Sequence, residues 1–161
     1  VTQPNQLTEP DLVILRIINA QHFDNGIVTR AAFALSSNDN YKLSVNQESR
    51  ITPGDALEQK SAILRARKES EGKPFTPPPA VARMTVGEIE DIPLPTEEGE
   101  LQDGEQAALS VWDDSMLEGT PESHAYLDFE RTYEPKERRK AVYNRLAAIA
   151  NQNGKLFLPD H

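Results

Sequence analysis

No cysteine occurs anywhere in the 161 residues. That one absence excludes disulfides, thiolate metal centres and a cysteine nucleophile. Structural zinc would have to be assembled from only three histidines and carboxylates, with no tight ligand pair among them. No metal and no cofactor is therefore expected. Long apolar runs are missing too. The longest, LVILRII at residues 12–18, is strand-sized, interrupted by Arg16, and far short of the ~18–20 residues that cross a bilayer as a helix. No basic-then-apolar leader marks secretion. The default expectation is cytoplasmic, with no membrane attachment. The eight glycines are scattered singly, so neither a dinucleotide-binding GxGxxG turn nor a P-loop is present to cradle phosphates.

Positive charge is missing from one long segment. Residues 84–130 hold fourteen acidic residues and no lysine or arginine, while all seventeen basic residues lie in the flanks. With a net charge of −9, the chain is not a nucleic-acid coat, because phosphate neutralisation needs clustered cations. An acidic central face can instead recruit a protein partner with a basic surface. The plainer account is a solvated, solubilising loop. Within this segment Glu97, Glu98, Glu100, Asp103 and Glu105 are the candidate partner-binding residues.

What is present reads as one domain. A polar lead-in covers 1–11, a single α+β domain 12–158, and a short tail 159–161. Strand signals fall at 12–18, 41–46, 80–85, 107–112 and 123–130, with a last short one in KLFLP. Thr52-Pro53-Gly54-Asp55 is a helix start: Thr52 can cap, proline suits the first turn, and Asp55 favours the positive end. That helix runs to Gly72, and its narrow stripe of Leu57, Ser61 and Leu64 predicts a place on the surface of a sheet. Four prolines make residues 73–79 (KPFTPPP) a connector. Thr85 and Glu88 match the capping-box pattern of a short helix. The acidic loop 95–106 is expected to be loose. A C-terminal helix begins at Pro135, with Val142, Leu146, Ile149 and Ala150 on one face. The expected fold is a single mixed sheet of about five or six strands covered by two main helices.

Several residues are weighed for chemistry. Arg16 shares a strand face with Leu12, Ile14 and Ile18; it either pairs with an acid such as Asp128 or grips a phosphate or carboxylate in a cleft. His22 has Asp24 two residues on, a spacing that more often serves the turn itself. Ser44 has neither a GxSxG elbow nor an SxxK partner around it. In SHAYLDFE, His124, Tyr126 and Asp128 share a strand face, as a catalytic row or as the wet side of a sheet. Same-face neighbours on one strand lie roughly 6.5–7 Å apart, too far for a direct His–Asp hydrogen bond. Any such row has to be completed from adjacent strands. Asp113, Asp114, Glu118 and Glu122 fit no cation-binding spacing. Lys136, Arg138, Arg139, Lys140 and Arg145 read as the solvated face of a helix, one that can also answer the acidic middle of the chain.

The stretches ILRII, AAF, KLSV, ITPGDAL, TVGEIEDI and HAYLDF, spread over most of residues 12–130, resemble a group of small uncharacterised bacterial proteins. That resemblance implies a bacterial cytoplasmic origin and no particular activity. In order alone, Arg16, then Ser44, then His124 or Glu130, the chain is also similar to ADP-ribosyltransferase-like folds, whose other signatures it lacks. The leading expectation is a non-enzymatic accessory module that docks on a larger protein through its acidic segment. The alternative is a small enzyme or binder for a nucleotide or nicotinamide-type ligand, using Arg16, Ser44 and His124.

Overall fold

A computed structural model describes residues 3–102, 104 and 106–159. The strands are β1 (Asn5–Leu7), β2 (Val13–Ile18), β3 (Phe23–Asp24), β4 (Ile27–Val28), β5 (Lys42–Gln47), β6 (Ala80–Thr85), β7 (Ser110–Asp113), β8 (His124–Asp128) and β9 (Leu156–Phe157). The helices are α1 (Pro53–Glu71), α2 (Val86–Glu90) and α3 (Lys136–Ala150). Seven strands form one sheet in the order β1-β7-β8-β5-β2-β6-β9, and β3 and β4 form a separate hairpin. The α+β class holds, but the sheet is larger than expected. It is also not mixed, since each of its ladders is antiparallel. The added strand of this sheet, β1, is short and mostly polar and is held by its ladder. Thus Asn5–Leu7, inside the stretch read as a polar lead-in, pairs with β7 at the sheet edge.

The local signals act as their chemistry requires. Thr52 accepts a hydrogen bond from the Asp55 amide and opens α1, and Gly72 closes it at a left-handed φ of 67°. Thr85 and Glu88 form a reciprocal capping box at the start of α2. In α3, Val142, Leu146, Ile149 and Ala150 are buried as their spacing predicts, joined by Tyr143 and Ala147.

Strand alternation divides the core between two faces. Ile14, Ile18, Ala82, Met84, Leu43, Val45 and Leu127 meet α2 and α3 in the large cluster. On the other face, Leu15 and Val81 meet Ala56 and Leu57 of α1 in a much smaller one. Beyond its first turns α1 is half-exposed or exposed, with Ile63 57 % exposed. It touches β2 and β6. Its sheet face therefore continues across β5, β8 and β7 as a half-open surface bearing Ser44, Asn46, His124, Tyr126 and Trp112. No helix among the described residues is long and apolar enough to cross a membrane.

Candidate functional site

His124 opens β8 on this half-open surface. Its neighbour across the ladder is Asn46, and that of Tyr126 is Ser44. The carboxylate that completes a pair with His124 comes from the residue after β7. His124 Nδ1 lies 2.6 Å from Asp114 Oδ1, with both side chains largely shielded. A carboxylate oxygen only accepts, so Nδ1 carries a proton, and in the neutral ring Nε2 is then the acceptor. Asp128, the same-strand acid, serves elsewhere: its Oδ1 accepts the Glu130 amide at 2.9 Å.

The surroundings of the pair are pinned by polar contacts. Asp113 Oδ1 accepts from the Ser115 amide and hydroxyl at 2.9 and 2.6 Å. Its Oδ2 lies 3.1 Å from Arg50, which also donates to Ser115 Oγ and to the Glu122 carbonyl. Burial pushes the Asp113 carboxyl up, but the Ser115 bonds, the Arg50 charge and Gln47 together hold it below its ordinary value. Ser123 Oγ donates to Asn46 Oδ1 at 2.9 Å, and Gln47 Nε2 donates to the His124 carbonyl at 3.2 Å. Asp113 and Asp114 thus have separate structural partners. Among the described residues no three His, Cys, Asp or Glu side chains gather as they would for a metal ion.

Arg16 does not pair with Asp128. Its Cβ leaves β2 on the face of Ile14 and Ile18, opposite to His124. The β2–β5 ladder runs for only two residue pairs, and the guanidinium enters where it opens. There Nε donates to the Ala32 carbonyl at 2.9 Å and Nη1 to the Ser44 carbonyl at 2.8 Å. Burial lowers its pKa to about 10, partly countered by the charge of Asp39, so it stays cationic at neutral pH. Ser44 lies one diagonal step from His124. That places the Cα atoms roughly 7–8 Å apart, and no nucleophile–base hydrogen bond connects them. Tyr126 is buried and its hydroxyl is pushed up by burial, then by Asp128 and Asp114. Lys42 Nζ sits 4.9 Å from its ring centroid. His22 acts through its backbone, accepting from Thr29. Burial first, and then the charge of Arg16, depress its imidazole pKa.

A cleft of about 280 Å³ lies between α1 and this surface, lined by Leu15, Ser44, Asn46, Lys60, Pro121 and His124 among others. Lys60, half-buried on α1, has a depressed pKa through burial and then through the charges of Arg16 and Arg67. Sequence reading gave no reason to select it. A larger depression of about 720 Å³ lies at the start of α1, on acidic ground that includes Glu48, Asp55, Glu58 and Glu122.

Residues 95–100 of the acidic segment form a hydrogen-bonded turn. The Thr96 amide donates to Glu100 O, the Gly99 amide to Thr96 O, and the Glu100 amide to Thr96 Oγ1, closing a turn. Gly99, at φ 90°, lies so close to α3 that a Cβ there would come 2.7 Å from the Glu137 carbonyl oxygen. Arg138 Nε donates to the Pro95 carbonyl at 2.9 Å. Glu97, Glu98 and Glu100 remain exposed on this turn, whereas Asp103 and Glu105 fall outside the described residues. The basic helix thus holds the acidic segment through a backbone carbonyl and leaves its carboxylates to solvent. No family model, curated protein or solved structure matches the chain.

Proposed function

We propose that this protein is a non-enzymatic interaction module, an accessory subunit that docks on a larger protein bearing a basic surface. The supporting observation is the display of Glu97, Glu98 and Glu100 on a turn that is fastened to α3. None of the three forms an ion pair among the described residues. A fixed turn presents its charges with less ordering entropy lost on binding than a loose loop would. Reversing all three charges to lysine should abolish capture of a tagged partner at low salt while leaving the thermal midpoint within a few degrees. Capture equal to that of the wild type would count against the acidic turn as the contact.

A second reading is favoured by one observation, the His124–Asp114 pair with His124 in the wall of a cleft. It is a binder or enzyme for a nucleotide or nicotinamide-type ligand that uses Arg16, Ser44 and His124. The opposite exits of Arg16 and His124 from the sheet weigh against a shared catalytic row. The cleft, at about 280 Å³, also falls below the roughly 300–1,000 Å³ typical of ligand pockets. A dinucleotide is too large for it. Retained nucleotide binding in Arg16→Ala would remove that role for the arginine.

A further inference from the structure

Two cations, Lys60 and Arg16, line the same cleft, and the charge of Asp39 acts on Arg16 without a direct ion pair. Lys60 and Arg16 form no ion pair among the described residues. Elsewhere in the protein three cations meet carboxylates directly: Arg50 meets Asp113 at 3.1 Å, and Arg83 meets Glu48 and Lys155 meets Glu88 at 2.7 Å each. Lys60 comes from α1, while the guanidinium of Arg16 lies in the opening between β2 and β5. Ser44, Asn46 and His124 line the same cleft. Like charges held together in a partly desolvated place are costly unless an anion joins them.

We propose that the cleft between α1 and β2, β5 and β8 binds a small phosphate monoester, its phosphate paired with Lys60 in the positive field of Arg16. His124 lines the same cleft and, with Nδ1 held by Asp114, offers the Nε2 of the neutral imidazole to a ligand hydroxyl. A dianionic phosphate gains attraction from both Lys60 and Arg16, more than a singly charged carboxylate does. The depressed pKa of Lys60, caused first by burial and then by Arg16 and Arg67, is the mark of an ammonium lacking its counter-ion. Asp114, beside His124, is already held by the His124 ring. The volume admits a sugar phosphate and excludes a dinucleotide. This inference replaces the nucleotide of the second reading by a smaller phosphate and is independent of the docking reading.

Isothermal titration of the full chain with ribose 5-phosphate, inorganic phosphate, acetate and adenosine monophosphate tests it at low ionic strength. Saturable binding of ribose 5-phosphate and phosphate is expected, weakened at least about tenfold in Lys60→Gln. Glutamine keeps the helix propensity of lysine, and an unchanged circular dichroism spectrum with an unchanged urea midpoint will show that the variant folds. His124→Gln should weaken ribose 5-phosphate but leave inorganic phosphate unchanged. No saturable phosphate binding, equal binding by Lys60→Gln, or acetate binding as tightly as phosphate would each overturn the proposal. Adenosine monophosphate binding that depends on Arg16 but not on Lys60 would also overturn it, and would support the nucleotide reading. Binding of ribose 5-phosphate without the nucleotide supports the proposal and removes that reading.

Discussion

Arg16 illustrates how a single side chain can stand in for secondary structure. Where the β2–β5 ladder stops, its guanidinium supplies donors to Ser44 and Ala32 that a longer strand or water would otherwise supply. Removing it leaves two carbonyls without those donors but also relieves the burial of a cation. Lost charge-assisted bonds outweigh that relief, so Arg16→Ala should lower stability by about 2 kcal/mol in urea unfolding. Lysine at this position should recover less than half, because one ammonium lacks the planar fork that reaches both acceptors. Glu88 makes a pH-dependent contribution. Burial raises its pKa, but Lys155 and Thr85 outweigh burial and hold the carboxyl below its ordinary 4.5. A depressed carboxyl stabilises the fold above the unfolded value and loses that contribution as pH falls through the folded one. Stability measured from pH 6 to 3 should therefore drop below about 4.5, with a shallower drop in Glu88→Gln. Equal slopes would sink the assignment.

At the scale of elements, α1 and α3 are held very differently. The longer helix carries only Ala56 and Leu57 as buried residues, whereas α3 buries six. Leu146→Ala should cost about 2–5 kcal/mol, the range for a large-to-small change in a packed core. Ile63→Ala on exposed α1 should change stability by no more than about 0.5 kcal/mol. Chemical denaturation of the two variants side by side separates these cases. The capping box of α2 is a smaller local device, and Thr85→Ala should cost about 1 kcal/mol. The uneven coverage also explains why the cleft exists: α1 is anchored at its first turns over β2 and β6, leaving the β5 and β8 side open. The acidic turn depends on Gly99, which combines a left-handed φ with an approach to α3 that allows no Cβ.

For the whole molecule, charge is spread unevenly by design of the fold as well as by sequence. Two acids of the cation-free segment meet cations once the chain folds, Asp113 at Arg50 and Glu88 at Lys155, and Asp114 is hydrogen-bonded to His124. Glu97, Glu98 and Glu100 are left outward. Partner capture through them should weaken steeply with salt, since exposed charges are screened over about 10 Å at 0.1 M ionic strength. Capture that persists unchanged at 0.5 M salt would point to an apolar contact instead. The half-open sheet surface, with Trp112 and Tyr126 paired across β7 and β8, is where such a contact would be sought.

The helix caps were legible because each is a contact between residues three apart, complete before any tertiary structure exists. The α3 face was legible for the same reason, as a periodicity within one element. The β3–β4 hairpin carried its own signal in Asn25-Gly26, both at positive φ, although the residues read only as a turn. Nothing local marks β1, whose polar Asn5-Gln6-Leu7 is a strand because β7 offers it a ladder. His124 was identifiable as a polar residue needing a partner from another strand, but not its partner. Asp114 reaches it only because β7 and β8 run antiparallel and bring residues ten apart together. Lys60 and Arg16, forty-four positions apart, become neighbours only when α1 folds back across β2. Sequence alone thus determined the elements and the charge segregation, which depend on short-range chemistry. Tertiary structure decided the pairing of side chains, because hydrogen bonds and ion pairs act over a few ångströms between residues distant in the chain.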